Sequence, residues 1–213
     1  MKKYIFILLI CCFLFSSTEN IEACSRFTYT GPERIVITGR SMDWVEDLRT
    51  DLWVFPAGIK RVAIEKDPNS VAWTSKYGSL VATAYDLGAA DGINSEGLNA
   101  NLLYLASSNY GKAKSERKNM SLFHWAQYIL DNYATVDEAV KDYEQDKFNM
   151  MGSSLPNGFS LTVHLSITDK NGDNAIFEYI NGKLVVHHGK DYKVMTNEPP
   201  YDKQLALNDY CKI

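Results

Sequence analysis

Two short turns constrain this chain more than any other feature. Lys170-Asn171-Gly172-Asp173 and Asn181-Gly182 each separate runs of strand-forming residues. A connection that short joins strands lying side by side and running antiparallel. The runs they punctuate are 161–168, 174–180 and 183–187, followed by 193–196. Similar runs open the chain at 25–30 and 34–40, joined through Gly31-Pro32, and continue at 52–55, 79–84 and 98–105. Between these blocks, 119–132 carries Leu122, Trp125, Ala126 and Ile129 at helical spacing. A second helix is expected from Val136 to about Gln145, with Thr135 and Glu138 as a capping box. Strands, then helices, then strands predict an α+β layered protein with largely antiparallel sheets. No repeat, low-complexity tract or linker divides it.

The first 23 residues read differently. Lys2 and Lys3 form a charged start, Tyr4 to Phe15 an apolar stretch too short to span a bilayer, and Ile21-Glu22-Ala23 a cleavage site. No later segment reaches the ~20 apolar residues of a membrane helix. The expectation is a leader over 1–23 and an exported, soluble mature chain, periplasmic or extracellular, beginning at Cys24. Of 213 residues about 190 remain, enough for one domain with a sizeable core. A net charge of −4 and 46% hydrophobic residues are ordinary for a globular protein. With no basic stripe or tail, nucleic acid is not an expected partner.

Cleavage before Cys24 puts a thiol nucleophile and a free α-amine, its potential base, on one residue. Cys11 and Cys12 leave with the leader, so the mature inventory is Cys24 and Cys211. A disulfide between them would consume the thiol, so a structural and a catalytic Cys24 exclude each other. A third use of the thiol is lipid attachment, to which Glu22 is a poor fit. His164, His187 and His188 invite a metal reading. They lie in strand-like runs, without paired helical spacing or an acidic third ligand, and structural roles are expected, with no metal and no cofactor.

Five segments carry a resemblance in order and at compatible spacing. They are Cys24-Ser25-Arg26-Phe27-Thr28; Gly39-Arg40-Ser41-Met42-Asp43-Trp44; Asp91-Gly92-Ile93-Asn94-Ser95-Glu96-Gly97-Leu98; Ile176-Phe177-Glu178-Tyr179; and Val194-Met195-Thr196-Asn197-Glu198-Pro199. From Cys24 to about Gln204 the chain resembles the choloylglycine hydrolase family, linear-amide hydrolases that include bile salt hydrolases and penicillin V acylases. The resemblance implies an N-terminal-nucleophile αββα sandwich, two antiparallel sheets between helical layers. It also implies attack by Cys24 on an amide carbonyl through an acyl-thioester, with Arg40 and Asp43 holding the amine and thiol and Asn197 donating to the oxyanion. A further asparagine or tyrosine serves the oxyanion in the family; an ungapped reading puts Ser108 there, with Asn109 adjacent. Trp44 and Tyr104 are candidate pocket residues beside them, and Trp53 and Trp73 are pocket or core.

The implied partner is a small acyl-amide, of bile salt, penicillin V or acyl-homoserine lactone type, and the full-length form is a candidate homo-oligomer. The competing expectation is an exported, lipidated or inactive binding protein anchored through Cys24. The family carries another site arginine downstream of Asn197, past Ile213. The expectation is therefore an N-terminal portion of the domain over 24–213, poorly soluble and inactive alone, with apolar faces and a strand edge uncovered.

The chemistry gives the residue types a reason. An α-amine titrates near 7.7–8.0 and a cysteine near 8.5, roughly, so neither is fully in its working form at neutral pH. A guanidinium beside them favours both reactive forms. A protein that keeps even one residue ahead of Cys24 is therefore expected to be inactive until that residue is removed. Terminal sequencing of an active sample checks this.

Overall fold

The computed structural model describes residues 24–211, so the leader read over 1–23 lies outside the described residues. Ten strands build two sheets. They are β1 (Ser25–Thr30), β2 (Val36–Ser41), β3 (Leu52–Phe55), β4 (Ser79–Ala84), β5 (Gly88–Asn94), β6 (Asn99–Tyr104), β7 (Val163–Thr168), β8 (Asn174–Ile180), β9 (Lys183–His188) and β10 (Val194–Thr196). Three form one sheet in the order β10-β1-β2, and seven form the other in the order β9-β8-β7-β6-β5-β4-β3. Every pairing in both is antiparallel. The helices are α1 (Trp125–Asn132), α2 (Val136–Tyr143) and α3 (Tyr201–Cys211). The turns at 170–173 and 181–182 join β7 to β8 and β8 to β9, as their length requires.

Alternation along the strands separates two interiors. On β7, Val163, Leu165 and Ile167 join the large apolar core with Trp125, Ile129, Val136 and Ala139 of the helices. The opposite side chains, His164, Ser166 and Thr168, are as deeply buried. On β8, Ala175, Phe177 and Tyr179 face the helical core, whereas Ile176 packs with Cys24, Leu103, Met195 and Tyr201. With a side-chain period of two, one strand thus supplies an apolar face to the helices and a largely polar face to the other sheet.

The elements differ from expectation where tertiary contacts outweigh local preference. The helix expected over 119–132 begins at Trp125. Lys118–Ser121 is instead a short strand, parallel to Phe148–Met151, and Asn119 exchanges backbone bonds with Asn69 and Val71. Ser121 then accepts from Phe123 N at 3.3 Å. Helix α2 ends at Tyr143, and Thr135 caps it by accepting from Glu138 N at 3.3 Å. The Glu138 carboxylate reaches Ala134 N at 2.8 Å. Strand β5, Gly88-Ala89-Ala90-Asp91-Gly92-Ile93-Asn94, has too little β-branched or aromatic character to read as a strand. Its small residues answer a close approach. A Cβ at Gly92 would stand 2.6 Å from Leu130 Cδ1 on α1 and 2.8 Å from Val81 Cγ1.

Helix α3 buries Tyr201, and Leu205 is partly buried against the Cys24 cluster. Tyr210 is 76% exposed, because the face of α3 that meets the sheets ends before it. The outward face of the three-stranded sheet exposes Phe27, Ile37 and Val194, and edge strand β3 exposes Leu52 and Val54.

Gly92→Ala is expected to destabilise the fold by about 1–3 kcal/mol through overpacking. Gly152→Ala, where an added Cβ meets nothing within 4 Å, leaves stability unchanged. Urea denaturation of the two variants checks the contrast.

Candidate active site

Cys24 stands at the start of the central strand of the three-stranded sheet. Its neighbours pair with both flanking strands, Ser25 with Thr196 on one side and Ser41 on the other. Continuing that register puts Asn197 and Met42 opposite Cys24. Thr196 Oγ1 donates to the Cys24 carbonyl at 2.8 Å, and Gln204 brackets Thr196, accepting from its N at 3.1 Å and donating to its O at 2.9 Å. Glu198 accepts from Ser107 N at 2.8 Å, tying the segment of Asn197 to the one that follows Tyr104. Asn197 itself is buried.

The side chain of Cys24 is enclosed, with the residue 3% exposed and its thiol free. Cys211 is also free, and exposed. The thiol contacts the backbone carbonyl of Asp43 at 3.6 Å. Asp43 is exposed, so the atom it brings to the thiol is main-chain oxygen. Arg40 sits cross-strand from Arg26, its guanidinium paired with Asp91 and bonded to the Leu102 carbonyl at 2.9 Å.

Cys24 and Arg40 line a cleft of about 90 Å³ that is open to solvent. Its other walls include Met42, Trp44, Tyr104 and Leu161, so a reactive polar end opens onto an apolar chamber. Trp44, Tyr104 and Phe159 form a three-sided aromatic cluster with ring centroids 5.5 to 5.9 Å apart. A network holds it. Trp44 Nε1 donates to Tyr85 Oη at 2.9 Å, and Glu46 Oε1 accepts from both Tyr85 Oη and Asn157 Nδ2 at 2.6 Å. One carboxylate oxygen thus gathers the loop after β2, the β4–β5 turn and the 155–159 loop. Sequence reasoning missed that loop, because Phe159 and Leu155 lie in a Gly/Pro/Asn-rich stretch with no chemical signature.

The sequence candidates divide. Cys24, Arg40, Trp44 and Tyr104 share the cleft, and Asn197 and Asp43 adjoin Cys24 along the backbone. Ser108 and Asn109 lie elsewhere. The Ser108 hydroxyl donates to Val163 O at 3.0 Å, and the Asn109 side chain accepts from Gly111 N at 2.9 Å. Both are spent on the loop after β6. Trp53 stacks on Phe55 at the sheet edge, and Trp73 donates to the buried Asp131 at 2.7 Å. Each of the three histidines meets a carboxylate. His164 Nδ1 is 2.9 Å and His187 Nε2 3.9 Å from Glu178, and His188 Nε2 is 2.8 Å from Asp173. Glu178 also receives Tyr201 N at 3.1 Å, which anchors α3 behind Asn197.

Comparison with known proteins identifies the family and the fold. A family model described as linear amide C–N hydrolases, choloylglycine hydrolase family, matches residues 24–213. A penicillin V acylase of Pectobacterium atrosepticum is 48% identical over 198 residues, 88% of this chain and 52% of the relative. The structure of penicillin V acylase from Agrobacterium tumefaciens superposes with a TM-score of 0.81 at 50% identity, covering 88% of this chain and 56% of that one. A variant of conjugated bile acid hydrolase from Clostridium perfringens superposes with a TM-score of 0.74 at 25% identity, covering 88% and 57%. The chain spans about half the length of these relatives.

Glu46→Ala is expected to free the 155–159 loop, because one oxygen holds both Asn157 and Tyr85. Amide hydrogen exchange over 155–159 should quicken severalfold while the strands stay protected, a contrast that hydrogen-exchange mass spectrometry resolves.

Proposed function

Because this chain belongs to the choloylglycine hydrolase family of linear amide C–N hydrolases, we propose that it is the nucleophile-bearing part of an enzyme that cleaves an amide between a bulky apolar acyl group and a polar amine. The observation that carries the reading is the enclosed Cys24 thiol at the polar end of an apolar cleft. An acyl group enters the chamber and brings its carbonyl to the sulfur. An anchored lipoprotein cysteine would need its sulfur outside the fold.

In this reading, removal of the leader frees the Cys24 α-amine, which takes the thiol proton as sulfur attacks the carbonyl carbon. The tetrahedral oxyanion is met by the Asn197 side chain. Tyr104, which lines the cleft, is the better candidate for a second donor than Ser108, whose hydroxyl is committed to Val163. Collapse of the intermediate expels the amine, which takes the proton, and leaves an acyl-thioester on Cys24. Water, deprotonated by the α-amine, releases the acid and restores the thiol. Arg40 contributes a fixed positive charge at the thiol end, and Asp43 is assigned to orient the new amine.

The aromatic cluster of Trp44, Tyr104 and Phe159 favours an acyl group with a flat ring, so a phenoxyacetyl amide of penicillin V type stands first. A bile salt and a long-chain acyl-homoserine lactone stand behind it. Export to the periplasm or beyond is part of the same proposal.

A panel of penicillin V, glycocholate and a long-chain acyl-homoserine lactone, assayed on the whole protein that carries this chain, tests the reading. Cys24→Ser is expected to abolish most turnover. Asn197→Ala should cost ~100-fold or more in kcat, the typical effect of losing one oxyanion donor. Turnover that survives Cys24→Ser would sink the assignment.

A further inference from the structure

The segment beginning at Asp91 supports the resemblance, yet the reaction above gives Asp91 no part. Its surroundings assign one. Arg26 and Arg40 are direct cross-strand neighbours on β1 and β2, and Asp91 and Asn101 are direct neighbours on β5 and β6. The two pairs meet between the sheets. Arg40 Nη1 pairs with Asp91 Oδ2. Asn101 Nδ2 donates to Asp91 Oδ1 at 2.7 Å, and Arg26 Nε donates to Asn101 Oδ1 at 3.4 Å. Arg40 is held twice more, from Nη2 to Leu102 O at 2.9 Å and from Nε to Ser41 O at 3.1 Å.

The polarity of this chain of bonds is forced. Guanidinium groups only donate, so both ends are donors, and Asn101 can pass along one acceptor and one donor. Position 91 then faces a donor on each side and must accept from both. A carboxylate does this and an amide cannot. Water has little room to relieve a mismatch, since the side chains of Arg40 and Asp91 are 9% and 20% exposed and Arg26 and Asn101 are buried.

We propose that Asp91, oriented by Asn101, is a positioning residue for Arg40, the pure acceptor that fixes the guanidinium in the wall of the Cys24 cleft. Its effect on turnover rests on the hydrolase reading, whereas its effect on the Cys24 thiol does not. The segment from Asp91 to Leu98 therefore does two jobs. Asp91 serves the site, while Asn94 closes the β5–β6 turn by accepting from Glu96 N at 3.1 Å and Leu98 N at 3.0 Å.

The test uses the same polarity rule. Asp91→Asn keeps the shape but sets a donor against Arg40, against Asn101 or, once Asn101 turns over, against Arg26. Adding Arg26→Gln removes the last conflict along this chain of bonds, because the turned Asn101 then donates to the glutamine oxygen, and the glutamine amide is left to face Asn174 and Thr168 in place of the two guanidinium nitrogens. Asp91→Asn is expected to lower kcat of the whole protein at least about tenfold, with KM changed less than about threefold. The double variant should return to within about threefold of Arg26→Gln alone. In an Arg40→Lys background Asp91→Asn should cost under about twofold, since the group it positions is gone.

The second readout needs no amide substrate. The rate at which iodoacetamide alkylates Cys24, followed by the mass of its peptide, should fall about threefold or more in Asp91→Asn, matching Arg40→Gln, and recover with Arg26→Gln. If the wild type cleaves no amide while alkylation follows this pattern, the hydrolase reading falls and the positioning role stands. Alkylation in Asp91→Asn equal to wild type, or a double variant whose losses multiply, overturns the positioning role. Should Asp91→Asn fail to fold by circular dichroism, Asn101→Ser removes the orienting amide and keeps the carboxylate. It carries both readouts with an expected loss of about threefold, and no loss overturns the role.

Discussion

A buried arginine between two sheets sets the terms for everything around it. Arg26 is fully enclosed, and its hydrogen-bond partners are neutral oxygens, from Asn101, Asn174 and Thr168. Burial pushes its guanidinium down to about 10, against which Tyr201 works, so it stays charged at neutral pH. A cation in that position holds only if each donor finds an acceptor, because an unpaired buried charge costs several kcal/mol. The acceptors come from three strands of the facing sheet, β6, β7 and β8. The sheets therefore have one relative placement that satisfies Arg26, and sliding either by one residue breaks it.

Cys24 inherits that placement. It lies two residues before Arg26, on the same face of β1, and every restraint on Arg26 also fixes the start of the strand. The flanking strands complete the setting. β10 leads into Asn197, β2 carries Arg40 and leads to the carbonyl of Asp43, and the three are brought to one end of the sheet by the register of β1. The geometry around Cys24 is a consequence of strand pairing. That pairing is stiffer than any loop could be, and a nucleophile needs its partners held to a fraction of an ångström.

The division of labour across strands β6, β7 and β8 of the seven-stranded sheet explains why both of their faces are buried and only one is apolar throughout. Towards α1 and α2, Leu165, Ile167 and Phe177 pack a continuous core that supplies hydrophobic stabilisation. Towards β1, Asn101, Thr168, Asn174 and Glu178 form a layer whose value lies in direction, since hydrogen bonds fail with misalignment in a way that apolar contacts do not. The aromatic cleft sits at the end of this polar layer, where the 155–159 loop, gathered through Glu46, closes over Trp44.

The strands flanked by tight turns, the helices at 125–132 and 136–143, and the candidate residues just before β1, on β2 and just after β10 were legible in the sequence. Hairpin turns and alternating side chains are local signals, and Cys24, Arg40 and Asn197 belong to short segments that carry a family resemblance. Strand β5 was not legible as a strand, because its glycines Gly88 and Gly92 answer to Phe123 and Leu130, far away in the chain. Nor could the sequence show that 118–121 pairs with 148–151 rather than beginning a helix. Ser108 and Asn109 suited the oxyanion on spacing alone, but the fold spends their side chains on Val163 and Gly111. The sequence by itself determined which residues alternate, where the chain turns and which thiol lies ahead of the first strand. Only the tertiary structure decided that Asp91 meets Arg40 and that Phe159 meets Trp44. Those partners lie 51 and 115 positions apart, and nothing local encodes which side chains two packed sheets will set face to face.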